Sequence, residues 1–223
     1  MYTWFHSISA ILVPPLSGLH ALTHDWGIAI IALTLLVKTG LSYFNLLVAR
    51  QQVRSSAMQP KLKEMRERLA SAPQQLMAET MKLYQEHRVR PFQPFVGLLV
   101  QMPVLMGMYG LLVTHGSTMT SVLLPWAAHL AMADPYHVVP LATALFSFVT
   151  ALIPLTEASA SMNAAVTSGA SRWVLAAVVA LLPLLFMWRS PIALGLYWMA
   201  GTAFGLLERG FYRTRWGRAL LAK

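Results

Sequence analysis

The chain has 223 residues, 57% of them hydrophobic and only 11% charged, with a formal net charge of +9 and a mean hydropathy of +0.55. A water-soluble domain carries about 25% charged residues, so composition alone excludes an ordinary soluble domain and places the chain in a membrane. The absence of cysteine removes disulfides, thiolate metal sites and a lipidated N-terminal cysteine.

The basic residues are sorted. Nine of the 17 Lys and Arg fall between Arg50 and Arg90 and five between Arg209 and Lys223, whereas none precedes Lys38 or lies between Pro91 and Ala170. Loops rich in Lys and Arg stay cytoplasmic, so the high pI reads as a topology signal and not as specific DNA binding.

Residues 1–25 carry Trp4, Phe5, Ile8, Ile11 and Leu12 near helical spacing, interrupted by Pro14 and Pro15. They read as an extracytoplasmic amphipathic helix in the membrane interface. Without Lys or Arg this segment is translocated, giving an N-terminus outside. It has neither the basic start of a cleavable signal peptide nor the Arg/Ser-rich character of a transit peptide, so a bacterial inner membrane is expected.

The first span is expected over 26–48, and Lys38 is its lone charge. At roughly 1.5 Å per residue it lies about 18 Å from Trp26 and about 18 Å from Arg50, near the midplane of a core about 30 Å thick. A lysine there costs about 2.5–3.5 kcal/mol, which favours a position facing water, a partner or the bundle interior. Packing between helices against carbonyl oxygens is the alternative.

Over 49–93, Met58, Leu62, Met65 and Leu69 recur at helical spacing, Ser71-Ala72-Pro73 breaks the pattern, and Leu76, Leu83 and Tyr84 resume it up to Pro91. Two helices joined by a proline turn make a cytoplasmic hairpin. A second span follows over 94–113, then an extracytoplasmic loop over 114–136 without Lys or Arg, a third span over 137–154 and a cytoplasmic loop over 155–172 containing Glu157 and Arg172. Short fourth and fifth spans occupy 173–188 and 191–208, parted by Arg189-Ser190-Pro191. Arg189 alone falls on the outer side, where a lipid headgroup would meet it. The basic tail, 209–223, offers Arg209, Arg213, Arg215 and Arg218 to ribosomal RNA or anionic headgroups. The fold class is therefore all-α: a polytopic membrane protein with five spans, a hairpin and an interfacial helix.

No glycine-rich nucleotide loop, paired metal ligands or nucleophile motif is present, and the seven His are scattered. No enzymatic activity, cofactor or metal site is expected. Asp134 and Glu157 sit in loops, so no proton-relay carboxylate is read within a span. Flexible methionines in the spans, among them Met102, Met106 and Met199, suit either ordinary packing or a surface that accepts varied apolar partners.

The segments Trp26 to Ile31 and Leu33 to Lys38 resemble the opening WGLAI and LTLIVR motifs of the YidC/Oxa family of membrane protein insertases. Leu83 to Pro91 resembles that family's LYKEHGVNP, Gln101-Met102-Pro103-Val104 with Tyr109 its QMPI and ALY, Asp134-Pro135-Tyr136 with Pro140 its DPYYILP, and Pro191 with Leu194 and Leu196-Tyr197-Trp198 its PAGLVLYW. Five motifs in order cover nearly the whole chain. The family's groove arginine is here Lys38, its PAGL glycine is Ala193, and the asparagine after LYW is Thr202. The loop from Glu157 to Ser171 lacks the usual Gln/Met/Pro pattern.

The resemblance implies a hydrophilic groove, open to cytoplasm and lipid, whose cation attracts acidic or polar tails of client proteins while apolar helices leave sideways into lipid. It places Thr34, Lys38, Tyr197, Trp198 and Thr202 along that groove. It also implies nascent membrane proteins as partners, with the ribosome, a Sec-type translocon and the bilayer beside them. Two other readings compete. One is a transporter or channel subunit binding an anionic solute at Lys38; the other is a scaffold recruiting soluble partners through the hairpin.

Overall fold

In a computed structural model, residues 3–70, 72–87, 89, 93–155 and 169–222 are described. Residues 156–168, with Glu157 and most of the expected 155–172 loop, lie outside that set, as do Ser71, Arg88, Arg90, Pro91 and Lys223. Among the described residues the regular structure is helical: α1 (Thr3–Thr23), α2 (Trp26–Arg68), α3 (Pro73–Glu86), α4 (Gln93–His115), α5 (Val138–Leu152), α6 (Gly169–Met187), α7 (Ile192–Arg213) and α8 (Arg215–Leu221).

The α1 helix runs unbroken through Pro14 and Pro15, although these residues were expected to interrupt it. It packs on α4 and α2, and Leu16 is buried in one core with Met108, Leu111 and Leu112. Tertiary contacts thus offset the backbone bonds that proline cannot make.

Between them, α2 and α3 account for the first expected span and the hairpin. Asp25 caps α2, accepting from the backbone N–H of Ile28 at 2.8 Å. Pro60 lies inside this helix without ending it, and the expected span and first hairpin arm form one rod of 43 residues, about 64 Å long. Pro73 then opens α3. Met58 and Leu62 from α2 meet Leu83 and Val89 in a small separate core, with Met65 and Tyr84 packed against it. Arg68 and Glu79 bridge the arms at 2.7 Å, but both are well exposed, so the pair contributes at most about 1 kcal/mol.

The main core joins α1, α2, α4 and α7 through Ala29, Ile30, Leu33, Leu111, Leu194 and Tyr197. The α5 helix packs on both α6 and α7. Outside this core the surface is strongly apolar: on α6, Trp173, Val174, Leu175, Val178, Leu182, Leu185 and Phe186 are all exposed. Water would not tolerate an apolar face of that extent on a monomer; hydrocarbon would. By length and composition α2 is, among the described residues, the one helix that passes as a membrane crossing, with shorter apolar helices at Val138–Leu152 and Arg172–Met187.

One end of the bundle is closed by the segment between α4 and α5. Leu130 is fully buried there; its N–H donates to the Met119 carbonyl at 2.8 Å. The N–H groups of Ile192 and Ala193, at the start of α7, donate to the carbonyls of Met132 and Leu130 at 2.8 and 3.2 Å. Two buried carboxylates pin this cap. Asp25 accepts from Ser121 Oγ at 2.8 Å and from the Val122 N–H at 2.6 Å. Asp134 accepts from Trp126 Nε1 at 3.0 Å and from the N–H groups of Tyr136 and Val139 at 3.1 and 2.7 Å.

Candidate functional site: a cation-lined cavity

Twelve residues along α2, Lys38 points between α4 and α7. Its Nζ donates to Gln101 Oε1 at 2.8 Å. Lysine has donors only, so the amide oxygen of Gln101 must face it, which turns Nε2 toward the Tyr197 hydroxyl as donor. Three helices are thereby joined through one polar chain inside an apolar bundle. Gly201 gives the lysine its room: a Cβ on that residue would stand 3.1 Å from Lys38 Cε.

These groups line a cavity of about 340 Å³ together with Met102, Leu105, Thr150, Trp198, Thr202, Gly205 and Arg209. Among the described residues no Asp or Glu lines it. The Glu208 carboxylate is hydrogen-bonded to Asn45, whose Nδ2 donates to its two oxygens at 3.1 and 2.8 Å. Lys38 is therefore hydrogen-bonded to a neutral amide and feels the Glu208 charge only through space. Thr150, Trp198, Thr202 and Arg209 also border a neighbouring cavity of about 530 Å³ toward α6, lined by Val179, Leu182 and Phe186. Two chambers, both lined mainly by apolar surface, thus share a wall, and the first of them holds Lys38, Gln101 and Tyr197.

The groove residues expected from sequence are distributed unevenly. Lys38, Tyr197, Trp198 and Thr202 line the same cavity. Thr34 lies one turn from Lys38, buried, with its hydroxyl donating to the Ile30 carbonyl at 2.7 Å, so it packs behind the chamber without lining it. Thr202 also spends its hydroxyl proton on its own helix, on the Trp198 carbonyl at 2.9 Å. Its lone pairs remain toward the cavity.

Of the four basic residues grouped in the tail, two are turned inward because α7 continues to Arg213. Arg209 Nη1 donates to the Ile153 carbonyl at 2.6 Å, and Arg213 Nη2 to the Pro154 carbonyl at 2.9 Å. Arg215 lies over the Trp216 ring at 5.1 Å, and Arg218 is in α8. That helix folds back on the rod, where Arg50 Nε donates to the Leu220 carbonyl at 3.0 Å.

The family model described as 60Kd inner membrane protein matches residues 18–217, a range that contains every residue of the cavity. The chain belongs to this family, the YidC/Oxa group. Proteins named membrane protein insertase YidC are similar to it along most of its length. That of Actinobacillus pleuropneumoniae serotype 3 is 28% identical over 208 residues, covering 93% of this chain and 37% of the relative. That of Coxiella burnetii strain RSA 331 is 26% identical over 210 residues, 94% and 35%. That of Legionella pneumophila strain Corby is 28% identical over 215 residues, 95% and 36%. The chain spans little more than a third of the length of these relatives.

Sequence reasoning missed Gln101 and Glu208 as parts of the electrostatic design. Gln101 carried a readable signal, since it is the only amide in the apolar run from Pro94 to Val113. At the closed end, burial pushes the Asp25 carboxyl upward, but hydrogen bonds from Ile28, Val122, Ser121 and Gly27 outweigh it and hold the group below its ordinary 3.8.

Proposed function

We propose that this chain is a membrane protein insertase of the bacterial inner membrane. In this reading it crosses the bilayer five times, over about 26–48, 94–113, 137–154, 173–188 and 191–208, with the N-terminus outside and the hairpin and tail in the cytoplasm. Charge supports that orientation: 14 of 17 basic residues lie in the hairpin and tail. The Asp25–Asp134 cap then closes the outer end, and the Lys38 chamber opens inward and toward lipid.

The observation that carries the mechanism is a cation in a cavity with no carboxylate among its described lining residues. Attraction between unit charges about 4 Å apart is worth about 1 kcal/mol in water and about 4 kcal/mol at an effective dielectric near 20. A client's acidic tail entering the chamber exchanges part of its hydration for that attraction, which lowers the cost of bringing it into the membrane. Its apolar helix follows the Trp198 wall into the second chamber and out to lipid. Lys38 supplies the field without consuming an energy source. Tyr197, Trp198 and Thr202 line the path, and Thr34 supports Lys38 from behind. Nascent membrane proteins are the clients. Arg215 and Arg218, on the folded tail, are the candidates for contact with a ribosome or headgroups, and a Sec-type channel is a candidate partner.

The test is reconstitution of the purified chain in liposomes with single-span clients, scoring protease protection of the translocated tail. Insertion above empty liposomes is expected, faster for an acidic tail than for a basic one. Equal insertion with and without the protein would refute the reading.

A further inference from the structure

Hydropathy ends the last span at residue 208 and assigns Arg209 to the tail, yet the side chain borders both chambers. We propose that Arg209 is a second client-binding cation of the groove, taking a carboxylate of the translocating segment at the mouth while Lys38 takes one at the floor. The inference rests on the insertase reading and deepens it.

Four observations converge. Gly201, Gly205 and Arg209 follow one another at four-residue intervals on α7 and so share a face. Gly201 lies against the Lys38 stem, and a Cβ on Gly205 would meet nothing within 4 Å, so the wall between the two cations is open backbone. Eight residues of helix separate Gly201 from Arg209, about 12 Å along the axis. The guanidinium is held in place by the bond from Nη1 to the Ile153 carbonyl at 2.6 Å. Among the described residues its Nε is buried without a hydrogen-bond partner, a donor left for an incoming acceptor. Finally, Glu208, adjacent in sequence, is hydrogen-bonded to Asn45 and lines a different pocket with Tyr43 and Phe204, so it acts on Arg209 through space without occupying the chamber.

The two cations differ in kind. Lysine is a point charge on a flexible stem, whereas arginine presents a planar fork suited to a carboxylate. An extended peptide advances about 3.3–3.6 Å per residue, so acidic residues three to four apart match the roughly 12 Å of α7 between Gly201, beside Lys38, and Arg209. The ligand class is therefore an extended segment with two carboxylates at that spacing.

The test uses the full chain in zwitterionic liposomes and three synthetic single-span clients, identical except for a translocated tail that is neutral, carries one Asp, or carries two Asp four residues apart. Protease protection is scored against the amount of protein incorporated. The wild-type chain should insert the two-Asp client faster than the one-Asp client. Arg209→Gln should lower the ratio of two-Asp to neutral insertion roughly tenfold, the scale of losing a charge-assisted contact. Arg209→Lys should keep most of that ratio. Arg213→Gln, which removes the neighbouring tether on Pro154, gives the size of a tether effect alone. An unchanged ratio in Arg209→Gln, a loss equal for all three clients, or Arg209→Lys behaving like Gln at normal incorporation would each overturn the proposal while leaving the insertase reading in place. Failure of the wild-type chain to insert any client would instead remove the reading on which the proposal stands.

Discussion

Replacing Asp25 by alanine tests whether the cap over the closed end is held by one carboxylate. Three bonds disappear together: the helix cap to Ile28 and the two cross-links to Ser121 and Val122. A lost N-cap costs about 1 kcal/mol and each bond to a charged acceptor about 1.5–3 kcal/mol. They share one side chain and do not add, and Ser121 keeps a second bond to the Leu123 N–H, so about 3 kcal/mol is expected for the cap. That corresponds to a roughly hundredfold rise in the open population. The assay is amide hydrogen exchange in liposomes at Leu130 and Ala193, whose N–H groups close the cap without touching Asp25. Both should exchange about a hundredfold faster in Asp25→Ala, and several-fold faster in Asp25→Asn, which keeps one acceptor oxygen. Unchanged protection at both amides in folded Asp25→Ala would refute the argument. A pH dependence follows with a definite sign. The Asp25 carboxyl is held below its ordinary 3.8, so its contribution is complete above that value and is lost only as pH falls through the lower folded value. Exchange corrected for intrinsic rates should therefore match at pH 7 and pH 5.

Lys38→Arg should retain insertion of a client with an acidic tail, Lys38→Gln should impair it and Lys38→Glu should be worst; equal activity of Gln and Lys at equal membrane abundance would sink the groove-cation mechanism. Gln101→Glu should leave abundance close to normal yet remove the preference for acidic tails, because it sets a carboxylate where the amide oxygen now stands 2.8 Å from Lys38 Nζ; paired-client insertion assays read this directly. A cysteine at Ser117 should react with an impermeant thiol reagent in intact cells and one at Ala222 should not; the reverse pattern would invert the proposed topology.

Lys38 was legible because a charge amid an apolar run is costly, and that cost demands an explanation. The hairpin was legible for a different reason: Met58, Leu62, Leu83 and Tyr84 recur at helical spacing on either side of Pro73. Hydropathy does not reveal where a helix ends, only where its surroundings change. It therefore parted the first span from the hairpin at residue 48, where the backbone is continuous, and parted Arg209 from α7, although no breaker appears before Thr214. Gln101 and Glu208 escaped because an amide or a carboxylate acquires its role from what faces it across the bundle. Sequence separations of 63 and 163 residues, to Lys38 and Asn45, hide those partners. Pro14 and Pro15 misled for the same reason, since the neighbours that steady α1 lie on α2 and α4.

The continuity of α2 has a mechanical side. Lys38 and the hairpin turn belong to one rod, with some thirty residues, about 45 Å, between them. A rotation of about 5° about the lysine swings the turn by about 4 Å, so a large body docking on the hairpin acts with leverage on the cation deep in the bundle. Pro60, inside the rod, is where such a lever would yield first, since it lacks the N–H that would bond Ser56. A push on the turn therefore reaches the charge only so far as the helix at Pro60 resists bending.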